Sequence, residues 1–139
     1  MKKSLSLLAA LAVFASSGST LCAAEGDGFV SIFNGKDLSG WQSNEETAEC
    51  TGDNIFLVKY GELQVVNGRG HLFYVGDSGS AKFKNFEFKA KVKHMPNSNS
   101  GIYIHTAYQD SGWPDKGLEC QVNSTAQKEK KKTGGLYAV

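Results

Sequence analysis

The chain is poor in the residues that mark several common architectures. Proline occurs twice and cysteine three times in 139 residues. There is no CxxC motif, so neither a metal knuckle nor a redox pair is written into the sequence. Lys and Arg number 15 against 14 Asp and Glu, for a formal net charge of +1. That leaves no bulk positive potential to attract a polyanion, and no nucleic-acid partner is expected. Beyond residue 24 no apolar run is long enough to span a bilayer, and no segment repeats with helical periodicity. What the chain has in quantity is glycine, 16 residues, the usage of many short strands joined by tight turns. A composition of 40% hydrophobic and 21% charged residues allows a packed core, and the length suits one domain.

The first segment reads as a leader. Lys2 and Lys3 precede the short apolar run from Leu5 to Ala15, and Cys22-Ala23-Ala24 places small side chains three and one before a cut after Ala24. A signal peptide over 1–24 is expected, leaving a single domain over 25–139 and an exported protein, periplasmic or extracellular, with no membrane span. A lipid anchor on Cys22 would need an aliphatic residue three before it and a small one just before; Ser19 and Leu21 stand the other way round. Cleavage leaves Cys50 and Cys120, which an oxidising compartment can pair. Cys120 alternates with Leu118 and Val122 and points to the core, whereas Cys50 lies among Glu49, Thr51, Gly52 and Asp53 in a loop. A buried free Cys120 is favoured over a disulfide.

Period-two alternation recurs through the rest. Ile55 to Lys59 and Glu62 to Val66 flank Tyr60-Gly61 as a hairpin, and Asn67-Gly68-Arg69-Gly70 turns into a strand from His71 to Val75. Phe83 to Lys93 alternates most cleanly, with Phe86, Phe88, Ala90 and Val92 on one face and Glu87, Lys89, Lys91 and Lys93 on the other. Gly101 to Thr106 and Gly117 to Val122 follow, each with an apolar and a polar face. Asn34-Gly35-Lys36-Asp37 reads as a turn, with Trp41 packing the entry strand, and the lysines from Lys128 to Lys132 as a solvated loop. Leu136 to Val139 reads as a strand just begun, so the chain is expected to stop inside its domain with C-terminal strands missing. An all-β sandwich of antiparallel strands is the expected class.

Three stretches are informative as a set: FVSIFNGKDLSGW from Phe29 to Trp41, FEFKAKVKHMPNSNSGIYI from Phe86 to Ile104, and GLECQVN from Gly117 followed by TGGLY up to Tyr137. In that order they resemble the 3-keto-disaccharide hydrolase family, over essentially all of the chain from Gly28 to Val139. The resemblance implies a concanavalin-like jelly roll whose concave sheet face takes carbohydrate. The family often carries arginine where His105 stands here.

The residues themselves place Glu119, Gln121, Tyr103 and His105 on the polar faces of two consecutive strands. Tyr103 offers a ring face to the apolar C–H side of a pyranose, and Gln121 both donates to and accepts from hydroxyls. A solvated sheet face would show the same alternation. Asn99 is either part of a turn or a contact at the entry of the same strand, and Trp113 either lines a sugar groove or folds onto its own sheet. A standard glycosidase needs two carboxylates, and Glu119, Gln121 and Asn123 supply one. A 3-keto-glycoside, the substrate the resemblance implies, needs less. The ketone acidifies the C2 hydrogen, a base removes it, the C1 aglycone is eliminated, and water adds to the resulting 2-hydroxy-3-keto-glucal. Glu119 or His105 would be that base, with the other a donor to the enolate or a ligand to a divalent cation. The expected function is an exported enzyme cleaving 3-keto-glycosides; the alternative is a non-catalytic carbohydrate-binding jelly roll.

Overall fold

The computed structural model describes residues 28–44, 55–66 and 69–139. The leader assigned to 1–24, the loop carrying Cys50 and the Asn67-Gly68 half of the turn lie outside the described residues. Asn34 closes the entry turn: its Oδ1 accepts the amides of Lys36 at 2.8 Å and Asp37 at 3.0 Å, and its Nδ2 donates to Asp37 Oδ1 at 2.7 Å. Side chains of this type replace backbone turn bonds. Trp41 then opens strand β1 (Trp41–Asn44) and is tied back to the entry segment, its Nε1 donating to the Ile32 carbonyl at 3.0 Å.

Strands β2 (Phe56–Lys59) and β3 (Glu62–Val65) form the expected hairpin. Tyr60 and Gly61 turn it with φ of 56° and 76°, the doubly positive pair whose twist matches that of the strands. Strand β4 (His71–Tyr74) does not extend that hairpin but pairs antiparallel with β1. The Trp41 and Tyr74 rings, cross-strand partners, meet edge to face at 5.2 Å, and the Gly40 carbonyl accepts the amides of Val75 and Gly76. Strands β5 (Ser100–Ile104), β6 (Leu118–Val122) and β7 (Leu136–Ala138) make a three-stranded antiparallel sheet with β6 in the middle. Among the described residues every ladder is antiparallel and no helix forms. The all-β class is as expected and is consistent with a jelly roll.

Among the described residues Ile55, Phe73 and Val122 are buried apolar side chains, each stabilising by about 1.5–3 kcal/mol when fully removed from water. The most enclosed side chains are polar: Gln121, Asn44 and Asn123, at 2%, 1% and 0% exposure. Such groups persist inside a fold when they are paired. Asn123 Nδ2 donates to the carbonyls of Ala126, Glu129 and Lys131 at 3.1–3.3 Å, and its Oδ1 accepts the Ala126 amide at 2.9 Å. The lysine-rich loop is therefore folded around one buried amide. Lys132 Nζ donates to the carbonyls of Ala126 and Glu129, so this part of the run is bound to the loop instead of freely solvated.

Several expectations need correction. Phe83 to Lys93 joins no sheet and bends at Asn85, whose φ is 51°, and Phe83, Phe86, Phe88 and Val92 stay 39–55% exposed. Alternation supplies one apolar face, but a strand also needs a neighbour for its amides and carbonyls. Strand β5 ends at Ile104, short of Thr106, because His105 takes φ of 58° and leaves the ladder. Cys120 is a free thiol as expected, but half-buried instead of buried. Gln121, expected on the polar face of β6 opposite the core, is buried.

Candidate active site on the three-stranded sheet

The register of β5, β6 and β7 assembles the site. Tyr103 lies directly across from Glu119, Gly101 from Gln121, and Tyr137 from Glu119 on the other side. Alternate residues of a strand share a face, so Tyr103, Glu119 and Tyr137 form one row and Gly101 and Gln121 begin the next. Tyr103 Oη donates to Glu119 Oε2 at 3.0 Å. The neighbouring groups orient the Gln121 amide: with its nitrogen toward the carboxylate, it donates to Glu119 Oε1 at 3.1 Å and to the Ser100 carbonyl at 3.2 Å. The reverse orientation would set oxygen against oxygen. The Gln121 amide oxygen then faces the Asn99 side chain at 2.5 Å and accepts from it once the Asn99 amide is turned as well, with its nitrogen toward Gln121. Both carboxylate oxygens of Glu119 are thus held by donors from the sheet.

Gly101 makes room for this arrangement. A Cβ at that position would overlap Glu119 Oε1 and lie 2.6 Å from its Cγ. The sequence suggests a turn glycine here, but Gly101 is absent from the positive-φ glycines and sits inside β5. Its role is space: it is the seat of the carboxylate. A glycine within a strand is a signal of close approach, and this signal was available in the sequence.

Tyr103 is half-buried, and burial first, then the hydrogen bond and charge of Glu119, push its phenol well above the ordinary value. It remains an O–H donor at any working pH. His71, at the head of β4, meets the Tyr103 ring edge to face at 5.8 Å and the Trp113 ring at 4.7 Å. Burial lowers its pKa from 6.5, so the imidazole is neutral at pH 7. Sequence reasoning missed His71 because β4 and β5 belong to different sheets and meet through a tertiary contact that no local pattern announces.

Asn44, the cross-strand partner of His71, fixes the loop that carries Trp113. Its Nδ2 donates to the carbonyls of Gln109 at 3.1 Å and Gly112 at 2.9 Å. Gln109 Nε2 in turn donates to the carbonyls of Ser111 and Trp113, and Pro114 is buried. Trp113 is 59% exposed and stands at the rim with one edge on His71.

The sequence-derived residues therefore divide. Tyr103, Glu119, Gln121 and Asn99 form one bonded cluster, with Trp113 linked to it through His71. His105 does not join them: beyond the strand end its ring packs on Phe86 at 5.6 Å. Glu119 and His105 accordingly do not form the cation site that a shared strand face would allow. Among the described residues no three His, Cys, Asp or Glu side chains are grouped to hold a metal, and no helix is long and apolar enough to cross a membrane.

What the cluster can do chemically is limited and clear. A rigid carboxylate offers a base, a permanently protonated phenol and an amide offer donors, a neutral imidazole lies across the phenol ring, and an indole forms an apolar wall. The family model of the 3-keto-alpha-glucoside-1,2-lyase-like domain matches residues 28–139, and the chain belongs to that family. The family is lyase-like and its substrate class is carbohydrate. No curated protein and no solved structure matches the chain.

Proposed function

We propose that this protein cleaves 3-keto-glycosides by elimination and then hydrates the product. The observation that carries the reading is the Glu119 carboxylate, seated over Gly101 and held by Tyr103 and Gln121. Glu119 takes the proton from C2 of the 3-keto ring, and the electron pair moves onto the C3 oxygen. Return of that pair forms the C1–C2 double bond and expels the aglycone oxygen, which takes a proton from water. The products are a free alcohol and 2-hydroxy-3-keto-glucal. A base positioned in this way contributes about 100- to 10,000-fold, and one carboxylate is sufficient because the ketone acidifies the bond being broken.

Tyr103 supports this chemistry by keeping its proton. It donates to the resting carboxylate and remains a donor when negative charge develops on the sugar oxygens. His71, held neutral by burial, serves the second half: it accepts a proton from the water that adds at C1 and passes it to the hydroxide left by the elimination, while Glu119 returns the C2 proton. The net result is hydrolysis to the 3-keto sugar. Trp113 and the Tyr103 ring supply apolar contact for the C–H faces of the ring, and Asn99 and Gln121 supply amide contacts.

The domain over 25–139 and its export belong to the same proposal, supported by the leader-like sequence of 1–24. Mass spectrometry of the secreted protein should find an N-terminus at or near Glu25; a retained Met1 would contradict this. The reaction itself is tested by incubating the protein with a 3-keto-disaccharide and following products over time. Transient 2-hydroxy-3-keto-glucal ahead of the 3-keto sugar is expected. Binding of the sugar with no bond cleavage would instead make the protein a carbohydrate-binding jelly roll.

A further inference from the structure

Resting on that placement of the reacting ring at Glu119, we propose that the sheet face continues across β7 into a second subsite, in which Tyr137 and Lys131 receive the aglycone as a second sugar ring. Tyr137 is the cross-strand partner of Glu119 on the side away from Tyr103. Neighbouring strands lie about 4.8 Å apart, so its ring is one strand step from the carboxylate, a separation comparable to the step between joined pyranoses.

Lys131 lies beside a second glycine. The backbone N–H of Gln121 donates to the Gly135 carbonyl, which extends the Gly101–Gln121 row to Gly135. A Cβ on Gly135 would come to 3.0 Å from the Lys132 carbonyl oxygen, 3.3 Å from Lys131 Cβ and 3.6 Å from its Cδ. The lysine stem therefore runs in contact range of the end of that row. Its ammonium ends 3.6 Å from the Tyr137 ring centroid and donates to the Leu136 carbonyl. An ammonium has three donors, and with one on the carbonyl and one toward the ring, a third is left for a ligand hydroxyl.

Glu129 keeps the pair in place. It accepts from Tyr137 Oη, and its Oε1 accepts the Lys131 amide at 2.8 Å. The hydrogen bond from Tyr137 is the main cause that holds the Glu129 carboxyl below its ordinary range, so it stays ionised at neutral pH. The resulting surface presents an ammonium, a carboxylate and an aromatic ring within one loop and one strand. That chemistry suits a polyol, which offers hydroxyls of both senses, and gives little to a methyl aglycone.

The test compares a 3-keto-disaccharide with methyl 3-keto-glucoside in the wild type, Lys131→Met and Lys131→Arg. Lys131→Met should lower kcat/KM for the disaccharide by about tenfold, the size of one lost charge-assisted hydrogen bond, and leave the methyl glycoside unchanged. Lys131→Arg should recover most of the loss. Equal losses on both substrates, or an unchanged preference, would overturn the subsite. Calorimetric binding of the parent disaccharide and methyl glucoside separates this from failure of the reaction itself. If the wild type cleaves neither 3-keto substrate, the proposed reaction fails. The subsite then stands only if Lys131→Met weakens disaccharide binding alone, and it falls if both sugars bind equally or neither binds.

Discussion

Phe83 to Lys93 and Leu118 to Val122 both alternate apolar and polar side chains, yet they end in opposite environments. The first joins no sheet and leaves its phenylalanines exposed. The second has a hydrogen-bonded strand on each side and carries Glu119 and Gln121 of the candidate site. Alternation does not separate them: the first carries the longer alternating run. They differ in whether other strands are there to pair. β6 gains β5 and β7, and in the rows this creates, a polar side chain such as Gln121 becomes more buried than its apolar neighbours. Where no partner is paired, even a clean stripe of phenylalanine stays in water.

Substitutions on the two stretches should differ accordingly, and the largest effect is expected at Gly101. Gly101→Val fills the seat of the Glu119 carboxylate. A displacement of about 1 Å at a catalytic group costs about 100-fold, so turnover should fall by that order. Overpacking destabilises by about 1–3 kcal/mol, which thermal melting would measure. Activity retained near wild type would show that Glu119 can work from another position.

The two histidines come next. His71→Ala should slow release of the 3-keto sugar by about 100-fold while 2-hydroxy-3-keto-glucal accumulates. His105→Ala, on the far side of the strand end, should change turnover by less than about threefold. Equal effects would return His105 to the site. Product chromatography on both variants decides between them.

The same imidazole gives a pH dependence with a definite sign. The pKa of His71 in the folded protein lies below its ordinary value of 6.5, so protonation favours the unfolded chain. The stability tied to the neutral ring is present above 6.5 and is lost as pH falls through the lower folded value. Hydration of the glucal should weaken over the same acid range. A melting temperature that falls below pH 6.5 in the wild type, and falls less in His71→Ala, is the expected result.

The smallest effect belongs to the unpaired stretch. Phe88 is 45% exposed, and Phe88→Ser should shift stability by under about 0.5 kcal/mol. A loss of several kcal/mol on denaturant unfolding would mean that this face is covered in solution.

The strands flanking the site were legible because their turns and alternation are local. Tyr60-Gly61, the β6 alternation and the parity of Tyr103 and Glu119 follow from nearest neighbours in sequence. Asn99 and Gln121 were legible as candidates, though not their burial, which depends on the register of three strands. His71 was not legible, since it meets Tyr103 across two sheets that share no strand. His105 looked like a site residue because alternation was continued one step past Ile104, where a left-handed backbone ends the strand. Gly101 could have been read from its place inside a strand, but a turn was the nearer explanation.

The most direct measurement is turnover of a 3-keto-glycoside by Glu119→Gln, alongside its melting curve. The substitution keeps the size of the side chain, so it can occupy the space over Gly101, and it removes the base. The account predicts a loss of elimination of about 100-fold or more with melting changed by no more than about 1 kcal/mol. Wild-type turnover in a normally folded Glu119→Gln protein would contradict it.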